Sequence, residues 1–333
     1  VNRPIALTTV QWTDVPLSDL CRHAADWGYD ALTLACHPRH FDSERARSEP
    51  EYIDEVRELL HGYGLRVHAL AAHMLGQAVC DPVDVRHRRI LDADIWGDGV
   101  PEGVRRRAAD AMTALPAAAA RLGAETVVGF TGSPVWHMFT LFPPVDQTDI
   151  GAGYAEFARR WHPVLDAFDD AGVRFALEVH PTEIAYDYWT TARALDAIGH
   201  RPAFGLNLDP SHFLWQGLDP AVFAYDYRER LYHVDLKDAV VRQDGRSGRL
   251  GSHLPWGDPR RGWDFVSLGH GDVDFENLIR TLNAIGYDGP LSIEWEDAGM
   301  DRMRAAPQAL ARLRELTEVR PGPKAFDSSF TDR

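Results

Sequence analysis

Short runs of apolar and β-branched residues recur eight times along the chain, with helical spacing in the intervals between them. The runs are Ile5–Val10, Ala31–Cys36, Leu65–Ala71, Thr126–Phe130, Arg174–His180, Ala203–Asp209, Leu231–Lys237 and Pro290–Glu296. Near-continuous apolar strands separated by helices belong to parallel sheets, where a crossover must carry the chain back before each new strand. The helical period is visible in Leu17–Trp27, Glu51–His61, Gly103–Leu122, Tyr154–Ala171, Tyr188–Ile198 and Phe275–Ile285. Gly28, Gly64, Gly123, Gly172 and Gly286 stand where a left-handed residue closes a helix. Eight such units predict an α/β chain folded as a single (β/α)8 TIM barrel, a catalytic domain over residues 1–318 with a C-terminal tail over 319–333. No Gly-rich dinucleotide turn follows the first strand, which argues against a doubly wound open sheet.

Three connections are long for a compact domain: His73 to Glu102 after strand three, Thr131–Gly153 after strand four, and Ala239–Asp274 after strand seven. All three leave the C-terminal ends of strands, the face on which barrels assemble their sites. Composition narrows the partners. Lys and Arg total 35 against 50 Asp and Glu, so the formal charge is -15, and such a surface repels a phosphate backbone. Nucleic acid is excluded as a partner on that ground. Cys21, Cys36 and Cys80 have no metal-type spacing and suit a reducing compartment. With no leader-like segment and no bilayer-length apolar run, the expectation is a cytoplasmic protein without a membrane partner.

Four carboxylates each end a different one of the last four strands: Glu178, Asp209, Asp235 and Glu294. A charge at the end of an apolar strand is costly unless something pairs with it. In a barrel these strand ends converge, and four carboxylates converging on one mouth repel unless a cation sits between them. An oxygen-rich set suits a divalent metal such as Mn²⁺, Mg²⁺ or Co²⁺ better than a thiolate-type zinc site. Histidines flank the carboxylates. His180 follows Glu178 by two, His212 follows Asp209 by three, and His233 precedes Asp235 by two, which puts His233, Asp235 and Lys237 on one strand face.

The run of Glu178, then Asp209-Pro210-Ser211-His212, then His233-Val234-Asp235-Leu236-Lys237-Asp238, then Glu294 resembles the xylose-isomerase-like barrel superfamily, most strongly from Arg174 to Glu296. That group contains sugar isomerases, keto-sugar 3-epimerases, inosose dehydratases and repair enzymes of the endonuclease IV type. The resemblance implies a divalent metal, Mn²⁺ first, held by Glu178, Asp209 and Glu294, with His212 touching substrate. The ligand from strand seven stays open. Asp235 is favoured because His233-Val234-Asp235-Leu236 is similar to the isomerase pattern, and His233 is the substitute because the epimerases carry a histidine there. The resemblance makes Glu178 and Glu294 proton-transfer groups as well as ligands. Lys237 then serves as an oxyanion stabiliser, or equally as a salt-bridge partner. The stretch Trp263–Gly271 is too apolar to complete the multi-zinc cluster of the endonuclease branch.

The expected activity is therefore a metal-dependent sugar isomerase or epimerase that removes a proton beside a carbonyl and passes through an enediolate. The alternatives are a lyase that cleaves O- or C-linked 3-keto-glycosides by β-elimination, and a non-catalytic barrel subunit of a sugar-processing complex. Trp136, Phe139 and Phe142, on the loop after strand four, are read as an apolar wall for the non-reacting part of the substrate. His73, His137, His180 and His270 are read as further substrate contacts. The partner is a small sugar, keto-sugar or glycoside, and the chain is expected to form a homo-oligomer, with a hetero-oligomer as the other option.

Overall fold

The computed structural model describes residues 3–319, so the expected tail lies outside the described residues apart from Val319. The strands are β1 (Ile5–Thr8), β2 (Ala31–Ala35), β3 (Arg66–Ala71), β4 (Thr126–Gly129), β5 (Arg174–Glu178), β6 (Phe204–Leu208), β7 (Leu231–Leu236), β8 (Asp238–Val241), β9 (Trp263–Val266) and β10 (Leu291–Ile293). Eight of them close in the order β1-β10-β7-β6-β5-β4-β3-β2, and every neighbouring pair is parallel. The chain is a (β/α)8 TIM barrel.

Successive residues of a strand face opposite ways, and the barrel separates them into two environments. Leu32, Leu34, Leu70, Val127, Phe175, Leu177, Phe204, Leu206, Val234 and Ile293 join one large apolar core beneath the helices. Trp161 and Phe168, from the helix Gln147–Ala171, lie against Phe175 with ring centroids 4.6 and 5.7 Å apart. A separate, smaller cluster of Ala69, Ala71, Val128 and Ala176 fills the barrel axis. Small residues on the axis leave room above them for long polar side chains.

The long connections hold more structure than their composition suggests. The one after β7 contains an antiparallel ribbon, in which β8 pairs with β9 and Ala239 sits opposite Phe265. The loop after β4 is shorter than expected because the next helix starts at Gln147, where Asp146 and Asp149 form a capping box. Strand β10 stops at Ile293, before the expected end at Glu296, so Glu294 sits just past the barrel rim. Among the described residues, no helix is long and apolar enough to cross a membrane.

Candidate metal and substrate site

The inward-facing positions recur at every second residue, so each strand delivers its polar groups as a column. β7 carries His233, Asp235 and, one step beyond its end, Lys237. The other columns are Glu178 with His180, Asn207 with Asp209, and Ser292 with Glu294 and Glu296. The columns rise to the C-terminal mouth of the barrel and meet there.

Glu178 is the meeting point. His73 Nε2 lies 2.9 Å from its Oε2, and His212 Nε2 lies 3.2 Å from its Oε1 and 3.3 Å from Asp209 Oδ2. Glu178 Oε1, Asp209 Oδ2 and the Nε2 atoms of His73 and His212 are nevertheless buried without a hydrogen-bond partner. These atoms are at contact distance but do not point at one another. Ligands at about 2.1 Å from a common octahedral ion stand about 3 Å apart, with lone pairs aimed at the ion rather than at each other. Two overlapping groups offer such atoms, Glu178 with Asp209 and His212, and Glu178 with His73 and Asp235. The donor set fits a divalent cation.

Neighbours orient the carboxylates. Asp209 caps the helix Pro210–Gln216, and its Oδ1 accepts from the Ser211 amide at 2.9 Å and hydroxyl at 2.7 Å, which leaves Oδ2 for the cavity. Asp235 accepts from Thr8 Oγ1 at 3.0 Å and from Asn207 Nδ2 at 2.6 Å. His233 sits deeper, fully buried, with Nε2 3.5 Å from Asp235, and both it and Glu294 lie outside the two ligand groups. Fixed outer contacts of this kind set ligand direction and basicity.

Lys237 spans the other side of the mouth. Its Nζ is 3.0 Å from Asp209, 2.9 Å from Glu294 and 3.2 Å from Glu296. Gln11 donates to Glu294 at 2.6 Å and to Glu296 at 3.1 Å. The two glutamates are pushed in opposite directions. Burial alone would raise Glu178, but His212 and His73, helped by Lys237, hold it well below the usual carboxylate range. Burial pushes Glu294 up to about 8, with Lys237 opposing and Glu296, Glu178 and Asp235 adding to the rise. Burial disfavours charge on His212, yet Asp209 and Glu178 lift it to about 9. Burial and the neighbouring His212 hold His180 well below its ordinary value.

A cavity of about 420 Å³ lies over these groups. Glu178, His180, His73, Lys237, Glu294 and Glu296 form its polar side, and Val10, Met74, Phe130, Trp256, Phe265 and Trp295 its apolar side. Phe265 sits 4.7 Å from Lys237 Nζ and 5.5 Å from the His212 ring. Trp256 packs 5.0 Å from Phe265, with Arg261 stacked 3.9 Å from its ring. The β8–β9 ribbon carries Phe265 and, in its connecting loop, Trp256.

Of the residues expected from sequence, Glu178, Asp209, Asp235, Glu294, His212, Lys237, His73 and His180 come together, with His233 one tier below. The expectation that Trp136, Phe139 and Phe142 wall this cavity is not met. Trp136 stacks on Phe139 at 5.0 Å and meets Tyr186 edge-on, Phe142 is exposed, and the loop turns away from the carboxylates because Tyr186 gives Trp136 an alternative partner. His137 is exposed on the same loop, and His270 is exposed in the turn after β9, so neither reaches the cavity. Sequence reasoning passed over Glu296, although the two-residue step from Glu294 signals it. Gln11, Phe265 and Trp256 carry no comparable local signal.

Glu183 was also passed over. It is fully buried, and its Oε2 accepts from the amides of Thr131 at 2.8 Å and Gly132 at 2.7 Å, pinning the loop after β4. Gly132 has φ +66°, and a Cβ there would lie 2.2 Å from the Gln77 carbonyl oxygen, so the clamp admits no larger residue. Glu183→Ala should destabilise the fold by about 1–3 kcal/mol for each orphaned amide. Burial, with Asp81 nearby, pushes the Glu183 carboxyl up to about 8. The folded state thus holds its proton above the unfolded pKa, and stability falls as pH rises from roughly 4.5 through 8. Glu183→Gln, compared with wild type by denaturant melts at pH 5 and pH 8.5, should flatten that slope. An unchanged slope would show that Glu183 is ionised throughout.

Comparisons with known proteins agree with this architecture. A family described as xylose isomerase-like TIM barrel matches residues 21–316. YfiH of Bacillus subtilis, a protein described as uncharacterized, is 29% identical over 299 residues, covering 86% of this chain and 90% of that protein. Inosose dehydratase of Lacticaseibacillus casei is 30% identical over 91 residues, 27% of this chain and 30% of that protein. Among solved structures, the E. coli 3-keto-D-glucoside 4-epimerase YcjR aligns with TM-score 0.65 at 16% identity, covering 94% of this chain and 100% of that one. IOLI protein, solved with a binding zinc atom, aligns with TM-score 0.64 at 15% identity, covering 95% and 98%. At those identities the two structures show the shared fold alone.

Proposed function

Because the chain belongs to the xylose isomerase-like TIM-barrel family, we propose that it is a divalent-metal-dependent enzyme that removes the proton beside a sugar carbonyl, with isomerisation or epimerisation as the outcome. The observation that carries this reading is the convergence on Glu178 of buried ligand atoms that lie at contact distance without hydrogen bonding to one another. Glu178, Asp209, Asp235 and Glu294 hold the ion, Mn²⁺ first, and His233 is the substitute for Asp235. A bound divalent cation polarises the carbonyl as a Lewis acid.

The chain's own residues do the rest. Glu178, held ionised, takes the proton from the carbon next to the carbonyl, with His73 and His212 flanking its two oxygens at 2.9 and 3.2 Å. Glu294, three strands away around the barrel, returns a proton to the carbon from another side. Lys237 sets positive charge beside the oxygen that becomes negative. The apolar side of the cavity keeps water from the carbanion-like intermediate.

A second reading shares the first step and follows it with loss of a group from the adjacent carbon. It is favoured by the apolar side of the cavity, where Met74, Phe130, Phe265 and Trp256 exceed what a small free sugar needs. Three free cysteines and a small polar substrate support a cytoplasmic setting. Metal-loaded protein incubated in D₂O with ketoses and with 3-keto-glycosides tests both readings by NMR. The expected result is deuterium uptake at the carbon beside the carbonyl, abolished by chelation. Elimination products from the glycosides would move the second reading ahead. No exchange on any substrate, at full metal content, would refute the proposal.

A further inference from the structure

A second chamber of about 930 Å³ adjoins the catalytic cavity, and the two share Val10, His73 and Met74 as a common wall. We propose that this chamber is a second subsite, which holds a ring-sized hydroxylated group attached to the reacting sugar. The substrate is then a glycoside rather than a free monosaccharide. The inference rests on the reading that sugar chemistry takes place beside Glu178.

Size is the first argument. Small-molecule sites run from about 300 to 1,000 Å³, so the 420 Å³ cavity over Glu178 is ample for one sugar ring. The adjoining volume is surplus to a monosaccharide. Its chemistry is the second argument. Leu75, Ile90, Leu91 and Ile95 give it aliphatic faces, while Asp92 and Asp110 add acceptors and Arg47 and Arg89 add donors. Hydroxyl groups donate to carboxylates, and the C–H faces of a ring lie on aliphatic side chains. Among the described residues, no Phe, Tyr or Trp lines the chamber, which separates it from the aromatic side of the catalytic cavity.

The third argument is the joint between the two spaces. His73 is buried to 6% exposure and lines both; its Nε2 lies beside Glu178, and its Nδ1 has no hydrogen-bond partner. A polar group left unpaired at that point suits a ligand that passes through it carrying an oxygen. The wall beyond is also built firmly. Arg107, from the helix Pro101–Leu122, donates to the carbonyls of Ile95 at 2.9 Å and Trp96 at 2.8 Å, which fixes the segment bearing Ile95.

The test uses equilibrium binding to the metal-loaded protein, so it does not depend on turnover. The probes are methyl β-D-glucoside, 4-hydroxyphenyl β-D-glucoside and cellobiose, measured by ligand-observed NMR. The expected result is binding about tenfold or more tighter for the phenolic glucoside or for cellobiose than for the methyl glucoside. Whichever gains identifies the attached group as aryl or glycosyl. Ala111→Trp and Ala114→Trp, at half-buried positions on the chamber wall, should each erase the gain. Both should leave methyl glucoside binding, metal content and the thermal melt unchanged. Equal binding of all three probes to wild type would overturn the inference, as would a gain that survives both tryptophan substitutions in folded protein. A gain erased by them in a protein that exchanges no sugar proton would support the subsite while removing the proton-abstraction reading.

Discussion

Glu178→Gln should lower metal-supported proton exchange by about 100- to 10,000-fold, the range for losing a positioned general base, and should also lower bound metal. Glutamine keeps the volume and one carbonyl oxygen, so packing against the buried His73 and His212 survives while the negative charge is lost. The two histidines meet Glu178 from different short helices, His73–Gln77 and Pro210–Gln216, at 2.9 and 3.2 Å. The substitution therefore removes the one anion they share. Metal content by atomic emission and exchange by NMR separate the two roles. A variant that keeps its metal and loses exchange shows Glu178 as base alone, and loss of both shows it as ligand too. Full metal together with full exchange would place the chemistry elsewhere. Glu294→Gln provides the complementary case, because Gln11 and Lys237 remain to hold the amide.

Lys237→Met should destabilise the metal-free protein by about 3–5 kcal/mol, the usual consequence of removing one partner from a buried charge cluster. Its ammonium is buried and lies within 3.2 Å of Asp209, Glu294 and Glu296. Without it Glu294 and Glu296 lose their cation, and Asp209 keeps only His212 at 3.3 Å. Burial disfavours the charged lysine, yet Asp209, Glu294 and Glu296 raise its pKa well above the ordinary value, so the ammonium stays charged. Added Mn²⁺ replaces that missing charge. The rise in Tm on metal addition should accordingly be larger for Lys237→Met than for wild type, by mass action on the folded state. Thermal melts with and without metal measure both effects. A metal-free variant as stable as wild type would mean that the cluster is neutralised by proton uptake rather than by Lys237.

The acidic strand ends were legible because they rest on local arithmetic. Glu178, Asp209, Asp235 and Glu294 each close a β-rich run, and a barrel gathers strand ends whatever the loops do. The step of two that links His233, Asp235 and Lys237 follows from strand geometry alone. The same rule places Glu296 beside Glu294. The aromatic wall was misplaced for a different reason. Trp136, Phe139 and Phe142 follow the right strand, but the direction of a loop depends on what it meets, and Trp136 meets Tyr186.

What the sequence determined by itself was the barrel and the convergence of its acidic strand ends on one face. Each of these follows from periodicities of two and 3.6 residues, which are properties of a short stretch of backbone. Tertiary structure alone decided that β8 and β9, separated by more than twenty residues, pair and lower Phe265 onto Lys237, with Trp256 packed against Phe265. It also decided that Gln11 bridges Glu294 and Glu296 from the far end of the chain, and that Asp235 rather than His233 shares a ligand group with Glu178. Contacts of that kind join segments whose encounter depends on barrel closure and side-chain packing, and no local pattern in either segment records it.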